Sequence, residues 1–273
     1  MNSRNLSFTI FISAHKSLHF AKRCIQSIQW QEKDFNVDVI YVDDASFYNV
    51  QQKEELKDIV KSVNGKVFFS DKRLYQIGAF DQYIPKIENK QTIVCLLDGD
   101  DYLLPHALST LHKTYSNPEV LMSYGNTLLD FRPFQDSKPK YFYDKKTVNI
   151  AYSKEVWQKR SFREDGFRCF HLRSFYRWLW DFVKSDGFYR KDGTYFRASG
   201  DSAFVYPMLE MLADPKHVVF IEDPIYVYRL HEGNVHNHDK KSQSDDLNTI
   251  RFSLPKYKPL ERHILNHFIS GSL

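Results

Sequence analysis

Cysteine is scarce in this sequence. Cys24, Cys95 and Cys169 are the only three in 273 residues, too few and too scattered for a disulfide framework or a cysteine-rich zinc site, which favours a reducing, cytoplasmic setting. Long apolar runs are missing too. No stretch approaches the roughly 18 residues needed to span a bilayer. The short run from Phe8 to Ile12 is interrupted by Thr9 and lacks a cleavage site, so no signal peptide is expected. Charge of one sign is weak, with 38 Lys and Arg against 34 Asp and Glu, and a net +4 does not by itself imply nucleic acid or a membrane. Two glycine fingerprints are also absent: neither Gly-x-Gly-x-x-Gly nor Gly-Lys-Ser/Thr follows any strand-like segment, which excludes the dinucleotide and P-loop modes of phosphate binding.

What remains is an ordinary globular balance, 42% hydrophobic and 26% charged, in a chain long enough for one large domain or a domain with a subdomain. Aromatics stand out. With 22 Phe and 17 Tyr, they are read mostly as core and partly as binding surface.

The first half alternates strand-like and helix-like segments, the pattern of a mostly parallel sheet covered by helices. Phe8 to Ser13 reads as a buried strand. Leu18, Ala21, Ile25 and Ile28 then mark a helix ending near Trp30. Val37 to Val42 is a second strand, Leu56, Ile59, Val60 and Val63 mark a second helix, and Lys66 to Phe69 is a short strand. Gly78 to Ile87 reads as helical. Thr92 to Leu97 is a continuous apolar run of the kind that buried parallel strands show. A helix with Pro105 in its first turn leads to a strand from Val120 to Tyr124. The second half is less regular. Residues 130–150 read as a long surface connection. Leu172, Phe175, Tyr176, Leu179 and Val183 have helical spacing, as do Phe204, Val205, Met208, Leu209 and Leu212. Two short strands, Val218 to Ile221 and Ile225 to Tyr228, follow, and the polar stretch from Asp239 to Asp246 reads as flexible. There is no internal repeat.

In an open parallel sheet the ligand sits beyond the carboxyl ends of the strands. Two acidic turns fall there: Asp43-Asp44 after the second strand, and Asp98-Gly99-Asp100-Asp101 after the strand that begins near Thr92. An Asp-x-Asp turn sets two carboxylates on one side, and such hard oxygen ligands suit Mg²⁺ or Mn²⁺ bridging to a diphosphate. Gly99 allows a tight turn. Aspartates at strand ends also simply make turns, and for Asp43-Asp44 the two accounts are balanced. For the four-residue cluster the simple account weakens, because like charges repel without a cation or donors to compensate. An EF-hand loop is excluded, since the sixth position from Asp98 is Leu103 and the twelfth is Ser109.

Taken together, Ser7 to Ala14, "YVDDAS" at Tyr41 to Ser46, "LLDGDDYL" at Leu96 to Leu103 and "GDSAF" at Gly200 to Phe204 resemble glycosyltransferase family 2, inverting enzymes of the GT-A fold. The resemblance covers about Phe8 to His236. It extends through "VLMSYGN" at Val120 to Asn126 and "HLRSFYRWLW" at His171 to Trp180, and looks closest to a branch with virus and phage members. It implies a GT-A α/β fold, with a nucleotide-sugar-binding half at 1–128 and an acceptor-binding half at 129–273. It implies that Ser13, Ala14, Asp43 and Asp44 hold the nucleotide base and ribose. Asp98 would contact ribose or metal, Gly99 would lie against the donor, Asp100 would ligate the metal, and Asp101 would brace the turn. The family's usual Arg-Asn is missing, since Ala79, Phe80 and Asp81 follow Gly78, and Lys72 and Arg73 are the nearest cations for the diphosphate.

An inverting transfer needs a carboxylate to take the acceptor's proton, and the resemblance places Asp201 in that role. Read without it, Asp201 is an ordinary helix N-cap. His231, His236 and His238 lie within "YRLHEGNVHNH". Any one of them is most simply a solvated histidine, but together they suggest a donor-side role, with His231 and His236 as metal-ligand candidates and Arg229 neutralising phosphate charge. Their spacing is not that of a zinc site. The polar segment beyond would form a lid. Between Lys154 and Arg197 seven arginines, among them Arg163, Arg173, Arg177 and Arg197, interleave with aromatics such as Trp157, Phe162, Phe170 and Trp180. That mixture suits an anionic backbone, although an amphipathic helix with buried aromatics and solvated arginines accounts for it more simply. The function expected is metal-assisted hexosyl transfer from a nucleotide sugar, UDP-linked by preference, to a glycan or glycoconjugate. The alternatives are transfer to a hydroxymethylated base in DNA and a catalytically silent nucleotide-sugar-binding module.

Overall fold

Phe8, Ile10, Phe11 and Ile12 are wholly buried, and this run on both faces makes Ser7–Ala14 a central strand, β1. The computed structural model describes residues 6–130, 149–232 and 240–270. After β1, helix α1 (Leu18–Gln29) turns Phe20, Ala21, Cys24, Ile25 and Ile28 inward. Strand β2 (Asn36–Asp43) and helix α2 (Val50–Lys61) follow; Asn49 and Gln52 close the start of α2 as a reciprocal capping box. Next come β3 (Lys66–Phe69) and α3 (Tyr75–Tyr83), which tightens into a 3₁₀ turn at Ile84–Lys86. There Pro85 has no amide proton to continue the α-helical ladder. Then come β4 (Ile93–Asp98), β5 (Tyr102–Leu103), α4 (Ala107–Tyr115) and β6 (Met122–Asp130).

The second half adds α5 (Lys154–Lys159), α6 (Phe162–Asp165), β7 (Arg173–Tyr176), α7 (Gly200–Leu212), β8 (Val218–Arg229), α8 (Lys240–Phe252) and α9 (Arg262–Ile269). Among the described residues all eight strands form one sheet in the order β3-β2-β1-β4-β7-β6-β8-β5. The pairs β1–β2, β2–β3, β1–β4 and β6–β8 are parallel, whereas β7 runs antiparallel between β4 and β6. This is the mostly parallel α/β sheet of the GT-A class. The register sets Ala14 opposite Asp43 and Ser13 opposite Asp98, so three strands end on one rim with their polar turns side by side.

Three expectations fail in the second half. Leu172 to Val183 is not an α-helix but strand β7 followed by a 3₁₀ segment, Arg177–Phe182. Leu172 to Trp180 is buried at every position, so the run has no polar face and its helical spacing carries no information. The two late strands are one irregular strand: β8 pairs Ile221 with Gly125 and Tyr226 with Thr127, and the residues between them, Pro224 included, bulge opposite Asn126. The polar stretch through Asp246 is the start of helix α8 rather than a flexible tail. The buried positions of α8 are Asp246 and Ile250, half of them polar, and hydrophobic periodicity does not register such a face. Asp239 and most of the 130–150 connection lie outside the described residues. Among the described residues no helix is long and apolar enough to cross a membrane.

Candidate active site

The turns at the ends of β1, β2 and β4 open onto a cleft of about 1090 Å³, whose far wall is built by β7, the start of α7, the end of β8 and helix α8. Ser13, Ala14, Asp44, Arg73, Asp98, Asp100, Asp201 and His231 all face it. Asp43 and Gly99 stand behind the wall. His236 and His238 lie outside the described residues.

Asp43 is buried, and both of its oxygens are taken by Ser46, one through the backbone N–H at 3.1 Å and the other through the hydroxyl. Burial pushes its carboxyl upward against those bonds. It holds the turn rather than presenting a carboxylate to the cleft. Asp44 reaches the wall, where it accepts from the Leu74 N–H at 2.6 Å and pairs with Arg73. The Arg73 guanidinium is thus tied to the mouth of the cleft and covers the Tyr75 ring at 4.9 Å. Lys72 is exposed and does not line the cleft.

Gly99 is required by contact. A Cβ there would lie 2.4 Å from that of Ala14, and the Gly99 N–H donates to Ser13 O at 3.0 Å. A side chain would push the acidic turn off β1. The turn's three carboxylates then separate by environment. Asp101 is buried and accepts from the Tyr226 hydroxyl at 2.6 Å and the Arg229 N–H at 2.7 Å, so it braces the turn. Burial, followed by the charges of Asp100 and Asp98, raises its pKa well above the usual carboxylate range. Asp98 and Asp100 remain 22% and 24% exposed. Asp98 accepts from Gln76 Nε2 at 2.7 Å and faces His171 Nε2 at 3.2 Å. Burial works against its charge, but the hydrogen bond and charge of His171, with Arg173 and Gln76, hold its carboxyl below the usual range. Asp100 faces His231 Nε2 at 2.9 Å.

Asp201 stands across the cleft in the first turn of α7. It is not the N-cap. That position is Ser199, in the left-handed region at φ 54°, whose hydroxyl donates to Gln243 O at 3.2 Å instead of capping the helix. Gly200 allows α7 to approach α3, since a Cβ there would meet Ile77 Cβ at 2.8 Å. Asp201 accepts from the Ser202 N–H at 2.9 Å and from Arg173 at 2.7 Å.

Sequence reading missed His171, Gln76, His15 and His19 as cleft residues. His171 carries no local signal, since it lies in a bend just before β7. Burial and then the charge of Arg73 lower the pKa of His15, and burial, His231 and Arg229 lower that of His19.

The arginines from 154 to 197 divide in a way neither account anticipated. The aromatics are largely buried, but so are Arg163, Arg173 and Arg177. Arg163 forms a two-pronged bond to Glu210, and Arg177 pairs with Asp181 at 2.6 Å. Arg197 is exposed and faces the cleft.

Glycosyl transferase family 2 matches residues 9–181, well over half of the sequence. The chain belongs to that family. The match ends before Asp201 and His231. Among solved structures, the chain is similar to S. aureus TarS 1-349 in complex with UDP-GlcNAc, with TM-score 0.60 and 13% identity over 97% of this chain and 71% of that one. It is likewise similar to the mannosyltransferase PcManGT from Pyrobaculum calidifontis in complex with GDP-Man and Mn2+, with TM-score 0.61 and 14% identity over 96% of this chain and 69% of that one. At such identities the likeness concerns the fold. No curated protein matches the sequence.

Proposed function

We propose that this family 2 member is an inverting glycosyltransferase that moves a hexose from a nucleotide sugar to a hydroxyl of a glycan or glycoconjugate. The observation that carries the reading is the arrangement of carboxylates across a single cleft, with Asp98 and Asp100 on the strand-end rim and Asp201 on the opposite wall. The rim from Ser13 to Ala14, with Asp44 and Arg73, is the proposed seat of the nucleotide, and on this reading Asp43 and Gly99 shape that seat from behind. Residues 1–128 would then supply the donor half and 129–273 the acceptor half.

A divalent cation, Mn²⁺ or Mg²⁺, fits this donor set. Among the described residues no three His, Cys, Asp or Glu side chains converge as a closed cage. A cation shared with a diphosphate needs only one or two protein carboxylates, however, and Asp98 and Asp100 both open to the cleft. His231 backs Asp100, and His236 is a further candidate ligand. When bound, the cation would take up charge on the departing nucleoside diphosphate. Asp201 would accept the proton of the attacking hydroxyl, a contribution of about 10²- to 10⁴-fold.

The preference for UDP comes from the family resemblance. The two structural neighbours hold different nucleotides, UDP-GlcNAc and GDP-Man, so a donor screen should include both. The affinity to virus and phage members rests on Val120 to Asn126 and His171 to Trp180, and a cytoplasmic setting on the scarcity of cysteine. A DNA-base acceptor has less support than the sequence suggested, because Arg163, Arg173 and Arg177 are used inside the protein.

The test is a thermal-shift screen of nucleotide sugars with and without Mn²⁺, followed by assay of nucleoside diphosphate release. A ligand bound only by the native state raises the apparent Tm by mass action, about 2.7 kcal/mol at a hundredfold excess over Kd. Stabilisation by one donor that requires Mn²⁺, with turnover, is the expected result. Binding without release of nucleoside diphosphate in the presence of acceptors would mark a silent module instead.

A further inference from the structure

Arg173 is 1% exposed and opens β7, where the register pairs it with Leu96 of β4. His171 lies in the bend just before β7. The guanidinium faces two ways. One terminal nitrogen donates to Asp201 Oδ2 at 2.7 Å and to Cys169 O at 3.3 Å, and the other lies 2.8 Å from His171 Nε2. His171 in turn stands 3.2 Å from Asp98. One imidazole nitrogen thus lies between the guanidinium and Asp98, and it either accepts from Arg173 or donates to Asp98, so Arg173 and Asp201 form the hydrogen-bonded unit at this wall of the cleft.

Arg163 and Glu210 are both buried, side chains 2% and 1% exposed, and Arg163 also donates to the carbonyls of Ile250, Leu254 and Pro255. That pair clamps the C-terminal segment to α7. The Arg173 pair, like Arg177–Asp181, joins a sealed arginine to a more open carboxylate, but here the open carboxylate lines the cleft, with 22% of the Asp201 side chain exposed. Among the described residues Arg173 Nε finds no partner. A buried charge with an unsatisfied N–H is a weak source of stability, since apolar residues of similar volume often serve as well or better. It is, however, a strong constraint on direction, because a planar fork fixes the groups at both prongs.

We infer that Arg173 is a positioning residue that aims the Asp201 carboxylate at the acceptor hydroxyl. The inference rests on the reading of Asp201 as the base. His171 has its own seat, stacked on Tyr226 at 4.7 Å and 17° and on Tyr228 at 5.8 Å and 25°, so loss of the Arg173 fork leaves the donor side in place and frees Asp201 alone.

The experiment compares Arg173→Lys, Arg173→Ala, Asp201→Asn and Arg173→Lys/Asp201→Asn in the full chain. Release of UDP or GDP from UDP-GlcNAc or GDP-mannose with Mn²⁺ is measured with water as acceptor, alongside the crystal structure of Arg173→Lys. Misplacing a reacting group by about 1 Å costs on the order of 10²-fold. Arg173→Lys should therefore lower kcat by about that factor and leave donor KM within about 2-fold. Its crystal structure should show Asp201 turned from its place with His171 unmoved. The double variant should lose no more than Asp201→Asn alone, and guanidinium ion should restore turnover to Arg173→Ala. An unmoved Asp201, an unchanged kcat or additive losses in the double variant would overturn the positioning role. If Asp201→Asn itself releases nucleotide at the wild-type rate, the base assignment fails independently.

Discussion

Gly99→Ala tests whether the acidic turn is seated by contact. The new methyl would lie 2.4 Å from Ala14 Cβ, 3.2 Å from Ala14 Cα and 3.3 Å from the Tyr41 hydroxyl. Carbon atoms rest about 3.5–4.0 Å apart, so the turn and β1 must separate by roughly 1 Å. The Gly99 N–H to Ser13 O bond, 3.0 Å, spans the same gap and stretches with it. Overpacking of this kind costs about 1–3 kcal/mol, and at this chain length each 1 kcal/mol moves Tm by about 2–4 °C. The expected loss is thus roughly 2–12 °C. The decisive variant removes the other methyl. In Ala14→Gly/Gly99→Ala the shortest contact disappears and the two that remain need only a few tenths of an ångström. Ala14→Gly carries its own cost of about 0.5–1 kcal/mol, so the double variant should be less stable than wild type but clearly more stable than the sum of the single changes. Urea unfolding of all four proteins, followed by tryptophan fluorescence, gives the coupling, expected at about 0.5–3 kcal/mol. Simple additivity would refute the claim that Ala14 dictates glycine at position 99.

Other consequences can be measured alongside it. Asp100→Asn should keep the fold and lower cation-dependent nucleoside diphosphate release by at least about 10²-fold, since Lewis-acid assistance is worth several kcal/mol; undiminished turnover across a Mn²⁺ titration would remove Asp100 from the metal site. Glu210→Ala strands the buried Arg163 charge and should cost about 3–5 kcal/mol in chemical denaturation, whereas a change below about 1 kcal/mol would show that water reaches the site. His15 and His19 have folded-state pKa values below the ordinary 6.5, so the unfolded chain binds more protons between the two values. Their contribution to stability is complete above 6.5 and is lost as pH falls through the folded values. His19→Gln should flatten the decline in stability from pH 7.5 to 5.5, and an unchanged slope would contradict the assignment.

The first half of the fold was legible because its signals are local and repeated. β1, β2 and β4 are short strands, the last two stopping at aspartates, and α1 and α2 have one apolar face each, so period and punctuation agree. The rim of the cleft followed from the same reading. Asp44, Asp98 and Asp100 reach it because parallel strands end together, a property of topology rather than of any one residue. Asp43 stands behind the cleft wall, and sequence does not say which of two adjacent carboxylates turns inward; the Ser46 hydroxyl, three residues on, holds it there. Gly99 was singled out for turn freedom, whereas its reason is the approach of Ala14, a contact with no sequence signature. The far wall was illegible for a related reason. β7 is buried throughout, the buried positions of α8 are half polar, and the side-chain partners of Arg173 lie two and 28 positions away in the chain. Charge patterning suggested exposed arginines, but tertiary packing drew three of them inside and matched each to a carboxylate.

Because β7 lies between β4 and β6, neither portion of the chain closes its own sheet. A fragment ending at residue 128 would bare the flank of β4, where Ile93 to Leu97 are all buried, and an unprotected apolar strand edge recruits other chains into aggregates. Chimeras between relatives should therefore exchange the loops around the cleft and leave the seam between β4 and β7 intact.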